Sequence, residues 1–296
     1  MTEQAHPEQE AATAGSLGVL VGYDGSEGSR LALAWAAEEA ALRRLPLTIL
    51  HIWQVVYPGF VVLPLESLKD AAETLTAKAM RTAQALQPDI EVQRIVECGS
   101  PSYRLVEHAR RARMLVVGQN ADHPFGPRAL GSVSAPAVMH APGQVVLVRE
   151  ADIPPEFQPG RVLVGVDGSI TARFALDAAL TEARLRGLPL TALCAWPPEA
   201  MVASAPFLDE QDLPQVCRQR FEQEVASAAS SFPGLQVETV FRTGDPATVL
   251  LDDADDAALL VVGSRGRGQV RSFLLGSVSH TVLDRARCPV LVTHEA

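Results

Sequence analysis

At 296 residues, with 47% hydrophobic and 20% charged residues, the chain has room for two ordinary domains and is too apolar for a disordered protein. Its formal net charge of −10 argues against nonspecific nucleic-acid binding, which needs surplus positive charge to displace counterions. In chain order, residues 1–16 read as a polar, acidic tail with Pro7, unlike a signal peptide. Leu17–Tyr23 reads as a buried strand, and Leu31, Ala34, Trp35, Glu38, Leu42 and Leu45 set a helical period after it. A second strand is expected at Leu47–Trp53, a loop around Pro58 and Pro64, a long amphipathic helix over Glu66–Leu86 and a more exposed strand at Ile90–Val96. Gly99-Ser100-Pro101 opens a helix expected to run to Arg113. Met114–Gly118 is a further buried strand, Gly131 opens the next helix, and Gln144–Val148 closes the set.

The pattern then starts again. Gly18–Trp53 laid over Arg161–Trp196 without a gap is identical at 21 of 36 positions, far above chance, so the chain is an internal duplication. Both copies carry Asp-Gly-Ser after the first strand, at Asp24 and at Asp167. The second copy has strands expected near Arg161–Val166, Pro189–Ala195, Leu235–Phe241, Ala257–Val262 and Pro289–Thr293, and a helix opened by Gly244-Asp245-Pro246. Helices between nearly all-apolar strands imply an α/β fold in which parallel sheets are covered on both faces. The expected division is a tail over 1–16, a first domain over 17–149, a Pro-rich linker over 150–160 and a second domain over 161–294.

Val261-Val262-Gly263-Ser264-Arg265-Gly266 leads from a strand into a Gly/Arg-rich loop, and Leu275-Gly276-Ser277-Val278-Ser279 opens a helix that ends at Cys288-Pro289. Strand, glycine loop and helix N-terminus in this order form an anion cradle. Main-chain N–H groups can approach a phosphate where no Cβ intervenes, and the first helical turn carries partial positive charge. Arg265 and Arg267 add cations beside it.

The spacing Gly263-x2-Gly266-x9-Gly276-Ser277 resembles the nucleotide-binding signature of the universal stress protein family, and the likeness covers residues 18–293. It implies two tandem doubly wound domains, each a five-stranded parallel sheet of order 3-2-1-4-5, with ligand at the strand carboxyl ends, where the switch-point rule also places it. Carried over residue by residue, the resemblance implies an ATP or related adenine-nucleotide site of Gly165, Asp167, Ala195, Val262, Gly263, Arg265, Gly266, Gly276, Ser277 and Val278. The main chain of Ala195 would read the adenine edge, and Asp167 would meet ribose hydroxyls or hold a bridging Mg. Each role has a plainer counterpart: Asp167 can simply shape its turn, and Ser277 can simply cap its helix.

In the first copy Gly22, Asp24, Ile52, Gly118, Gly131, Ser132 and Val133 fit the pattern, but Ala121 replaces the second glycine and Gln119-Asn120 replaces Ser264-Arg265. Pro124 and Pro127 stiffen the loop, so the first copy is expected to bind more weakly or not at all.

No Walker-type loop, no nucleophile elbow and no metal-spaced histidines occur, so no catalytic residue is assigned and hydrolysis is at most slow. His51 reads as a satisfied core histidine, and His280 as an ordinary helix residue near the proposed phosphates. Cys98, Cys194, Cys217 and Cys288 form no C-x-x-C pair; three lie in or beside apolar stretches, which fits a reducing cytoplasm. The favoured function is a nucleotide-dependent stress-response regulator. The alternatives are a nucleotide-independent interaction scaffold and an ATP-consuming enzyme of the adenine-nucleotide α-hydrolase-like fold, whose S-G-G-x-D-S loop Tyr23-Asp24-Gly25-Ser26 does not match. No membrane partner is expected. The apolar last strands invite edge pairing. In the family such strands join domains, which implies pairing of the two copies and of chains in a homodimer.

Overall fold

The computed structural model describes residues 17–55, 65–119, 130–149, 160–196, 213–266 and 275–295. These fall into two compact units, the first holding 17–119 with 131–145 and the second 130 with 146–295. The expected tail, Pro58, Pro64, Asn120, Ala121, Pro124, Pro127, Arg267 and all of the expected linker but Gly160 lie outside the described residues.

The first half runs β1 (Val19–Gly22), α1 (Glu27–Arg43), β2 (Leu47–Trp53), α2 (Leu65–Leu86), β3 (Val92–Cys98), α3 (Pro101–Ala109), β4 (Met114–Gly118), α4 (Ser134–His140) and β5 (Gln144–Val148). The second runs β6 (Arg161–Gly165), α5 (Ile170–Arg186), β7 (Leu190–Trp196), α6 (Leu213–Ala229), β8 (Val237–Thr243), α7 (Pro246–Asp253), β9 (Ala257–Gly263), α8 (Ser277–Arg285) and β10 (Val290–Thr293). The first five strands are ordered β3-β2-β1-β4-β5 and the second five β8-β7-β6-β9-β10, the doubly wound order expected. Central β1 pairs in parallel with β2 and β4 (Val19 opposite Leu47 and Met114), as β6 does with β7 and β9. This order opens a crevice at the carboxyl ends of β1 and β4, and of β6 and β9.

The central strands are buried on both faces because the helices cover both. Val19, Leu20, Val21, Val162, Leu163, Val164, Leu259, Leu260 and Val261 are all fully buried. Helices α1 and α5 pack through alanine-rich stripes (Ala32, Ala36 and Ala40; Ala172, Ala175, Ala179 and Ala183), where small side chains let a helix lie close to its sheet. Each helix also buries one carboxylate, Glu39 or Glu182, against an arginine one turn on, Arg43 or Arg186. Breaking such a pair would strand a buried charge.

Several boundaries differ from expectation. β3 and β8 begin two residues late, because Ile90 and Leu235 instead donate back to Gln87 and Phe232 in turns. α3 stops at Ala109 rather than Arg113: Arg111 and Ala112 turn back on His108 and Ala109, and Arg113 then bonds Gly18. α4 starts at Ser134, not at Gly131, since Pro136 has no N–H to offer the Ser132 carbonyl. Of the cysteines only Cys288 is buried, and burial pushes its thiol up to about 12. His51 is held by a 2.7 Å bond between Nδ1 and the Tyr23 carbonyl. Among the described residues no helix is long and apolar enough to cross a membrane.

One difference between the copies yields a stability prediction. Asp245 caps α7, accepting from the Thr248 N–H at 2.9 Å and the Thr248 hydroxyl at 2.9 Å, whereas matched Ser100 makes no side-chain cap bond. Asp245→Ala should therefore cost about 1 kcal/mol in urea unfolding and Ser100→Ala only a few tenths. The Thr248 N–H and then its hydroxyl hold the Asp245 carboxyl below the usual aspartate value. A depressed folded value means the ionic part of this contribution is complete above the unfolded value and is lost as pH falls through the folded one. The gap between wild type and Asp245→Ala should accordingly narrow in acid; a gap constant with pH would show that the carboxylate charge is not what caps.

Candidate functional site

The crevice of the second unit is built from three chain segments. The first is the turn after β6. The Asp167 Oδ1 accepts from the Ser169 N–H at 2.9 Å, so this carboxylate does shape its turn. It also faces the loop: a Cβ built on Gly266 would lie 2.6 Å from Asp167 Oδ2, so a side chain there would strike the carboxylate. Ser169 caps α5, accepting from Ala172 at 3.2 Å.

The second segment is the end of β9 and its loop. Val262 is buried and Gly263 lies against the first turn of α5. A Cβ on Gly263 would meet Thr171 Oγ1, C and O at 2.7, 2.8 and 2.9 Å, which only glycine avoids. The Ser264 N–H donates to the Thr293 carbonyl at 2.8 Å, and the Thr171 hydroxyl donates to the Arg265 carbonyl. Arg265 is exposed, and among the described residues no acid pairs with its guanidinium.

The third segment is the start of α8. Gly276 is its N-cap, with extended backbone (φ −71°, ψ 157°), no side-chain cap and its own N–H donated to the Ser264 carbonyl at 2.8 Å. Ser277 is therefore the first helical residue and not the cap. It is exposed, with Val278 half-buried behind it. The serine that ties the helix down is Ser279, whose buried hydroxyl donates to the Gly263 carbonyl at 2.6 Å. Positions a Cβ on Gly276 would approach are Arg265 Cα (3.5 Å) and the Gly266 nitrogen (3.6 Å), so loop and helix end face each other. The N–H groups of an α8 first turn without a side-chain cap, beside an exposed arginine and bare main chain, suit an anion. His280 instead pairs with Asp284 one turn on, at 3.1 Å.

Asp167, Gly263, Arg265, Gly266 and Gly276 thus converge. Ala195 stands near the carboxyl end of β7, two residues past Leu193, the last partner of β6, so one edge of its main chain lies beyond that ladder. Gly165 faces the Leu250 side chain of α7, which a Cβ there would approach to 3.1 Å. Among the described residues no three His, Cys, Asp or Glu side chains group to hold a metal.

The first unit has the same parts in a different state. Asp24 Oδ1 accepts from Ser26 at 2.9 Å. Burial works against its ionisation, but the bonds from Ser26 and Ser29 together hold its carboxyl below the usual value. Ile52, like Ala195, lies two residues past the last β1 partner, Leu50, and Gly22 faces Leu105. Gly118 lies so close to α1 that a Cβ would sit 2.1 Å from the Gly28 carbonyl oxygen. The Gly131 N–H is donated to Ser134 Oγ at 2.9 Å, and its carbonyl accepts from Ala135 at 2.9 Å, but Pro136 leaves the next bond unmade and continuous α4 begins only at Ser134.

Thr171, Thr293 and Ser279 were missed by sequence reasoning. The duplication held a signal for two of them, since Thr171 matches Gly28 and Thr293 matches Val148. The model of the universal stress protein family matches residues 18–149 and 159–294. A universal stress protein of Mycobacterium tuberculosis (strain H37Rv) is 32% identical over 295 residues, covering 95% of this chain and 97% of that protein. One of Mycobacterium bovis is 33% identical over 288 residues, covering 94% and 97%. A crystal structure of a universal stress protein from Archaeoglobus fulgidus superposes with a TM-score of 0.74 at 22% identity, covering 95% of this chain and 99% of that one. With both copies matched, this chain belongs to the universal stress protein family.

Proposed function

We propose that the chain is a stress-response regulator whose second domain, 161–294, binds an adenine nucleotide, with ATP as the leading candidate. The observation that carries this reading is the α8 N-terminus, with glycine at its cap and no side-chain cap, facing the bare main chain of Arg265 and Gly266. Phosphates would take the N–H groups of Ser277 and Val278 and the charge of Arg265, and adenine would lie along the main chain of Ala195. Ribose, or a Mg shared with the phosphates, would face Asp167, because a single carboxylate needs phosphate oxygens to complete a magnesium shell. No general base is assigned, so hydrolysis is at most slow and the working state is the bound one. The first domain, 17–149, serves as a nucleotide-independent interaction module, a reading favoured by Gln119-Asn120 in place of Ser264-Arg265 and by the late start of α4. A cytoplasmic homodimer completes the proposal.

The test is direct. Purified protein, denatured and read by mass spectrometry, should release adenine nucleotide, and calorimetry with ATP and Mg should find one strong site per chain. Arg265→Ala should weaken that site about tenfold, as expected for one charge-assisted contact. Protein that stays empty at millimolar ATP would leave only the scaffold reading.

A further inference from the structure

We propose that Thr171, on the first turn of α5, is a positioning residue that presets the phosphate loop before ligand arrives, an inference that rests on the nucleotide reading above. Its hydroxyl donates to the Arg265 carbonyl, and Ser169 Oγ lies 3.4 Å from the same oxygen. Its own carbonyl accepts from the buried Thr293 hydroxyl at 3.2 Å. The Thr293 carbonyl in turn accepts from the Ser264 N–H at 2.8 Å, and the Ser264 carbonyl accepts from Gly276 at 2.8 Å. The bonds form a closed ring through the end of β10, the start of α5 and the first two loop residues, with a branch to the cap of α8. Fixing the Arg265 carbonyl fixes the peptide from which the arginine side chain leaves, and fixing Ser264 sets the distance between loop and helix end. Ser264 and Arg265 are then set before binding, so less affinity is lost to ordering them.

The ring also separates the two copies more sharply than the glycines do. Both side chains it uses are absent from the first copy, where Gly28 stands for Thr171 and Val148 for Thr293. Thr171 needs no contact with ligand in this scheme; it acts through Arg265 and Ser264.

The experiment compares wild type, Thr171→Val, Thr171→Ser and Thr293→Val by ATP–Mg calorimetry and by amide hydrogen exchange without ligand. Valine keeps the volume but cannot donate, and it turns a methyl toward the Arg265 carbonyl where the hydroxyl now sits. Thr171→Val should bind ATP about tenfold more weakly, one hydrogen bond's worth, with faster exchange at Ser264 and Gly276. Thr171→Ser should restore both, and Thr293→Val should shift both the same way by less. Unchanged affinity in Thr171→Val, or no rescue by serine, would overturn the proposal. Should wild type bind no ATP, the nucleotide reading fails by itself. The exchange arm still decides whether Thr171 holds the loop, and unchanged exchange at Ser264 and Gly276 in Thr171→Val would overturn that too.

Discussion

Gly276→Glu protein should lose ATP at the second unit by at least about 100-fold while remaining folded. The substitution places a carboxylate at the cap of α8, on the helix N-terminus that the phosphates would otherwise occupy. Two like charges about 4 Å apart cost about 4 kcal/mol at the effective dielectric of a protein surface, and 1.4 kcal/mol is a factor of ten, so a 100-fold loss leaves room for screening. Folding is not expected to suffer. The Gly276 backbone is extended, a conformation open to any residue, and an added Cβ would make only ordinary contacts at 3.5 to 3.7 Å. A carboxylate at a helix N-terminus is itself favourable to the helix. Gly276→Ala is the control and should keep ATP binding within a few-fold. Gly131→Glu should change little, because Gln119-Asn120 stands there in place of Ser264-Arg265 and the matched arginine is missing. Equal losses of ligand from Gly276→Glu and Gly131→Glu, in separate isotherms, would show that the two copies contribute alike.

Why the sheet could be read in advance and parts of the site could not follows from the kind of signal each leaves. A strand buried on both faces must be apolar at consecutive positions, and Val19-Leu20-Val21 and Leu259–Val262 say so without further context. A carboxylate after a strand, or a glycine at a crossing, is likewise local: Asp167 takes its turn bond two residues on, and Gly263 and Gly266 stand where Cβ atoms would collide. The ring through Thr171 is different. Its members are 94 and 122 residues apart in sequence and meet only once β9 and β10 lie side by side. The same holds for serine in α8: Ser277 and Ser279 are equivalent on paper, and only the path of the Gly263 carbonyl selects Ser279. The late start of α4 was legible, in Pro136, but the matching of Gly131-Ser132 to Gly276-Ser277 masks it.

A large loss of stability is expected from Gly118→Ala, which has no route to relief. Its Cβ would stand 2.1 Å from the Gly28 oxygen, 2.3 Å from the Gly28 carbonyl carbon and 2.7 Å from the Ser29 nitrogen. All three are backbone, so no rotamer change opens space, and α1 must lift from the end of β4. Overpacking of a dense core costs about 1–3 kcal/mol and more where backbone must move, which puts Gly118→Ala at 3 kcal/mol or above. Gly263→Ala should cost less, because its nearest contact is the Thr171 hydroxyl at 2.7 Å and the backbone atoms stand back at 2.8 and 2.9 Å. The same numbers bear on function. In the first unit the helix backbone presses onto the strand end where the second unit leaves room for a threonine hydroxyl to reach the loop. Gly263→Ala should therefore trade a smaller loss in urea unfolding for a clear loss of ATP, by displacing Thr171 from the Arg265 carbonyl. Gly118→Ala should lower stability and leave ATP affinity at the second unit unchanged. If Gly118→Ala proved the milder of the two in unfolding, the close seating of α1 on β4 would be wrong, and with it this difference between the two strand ends.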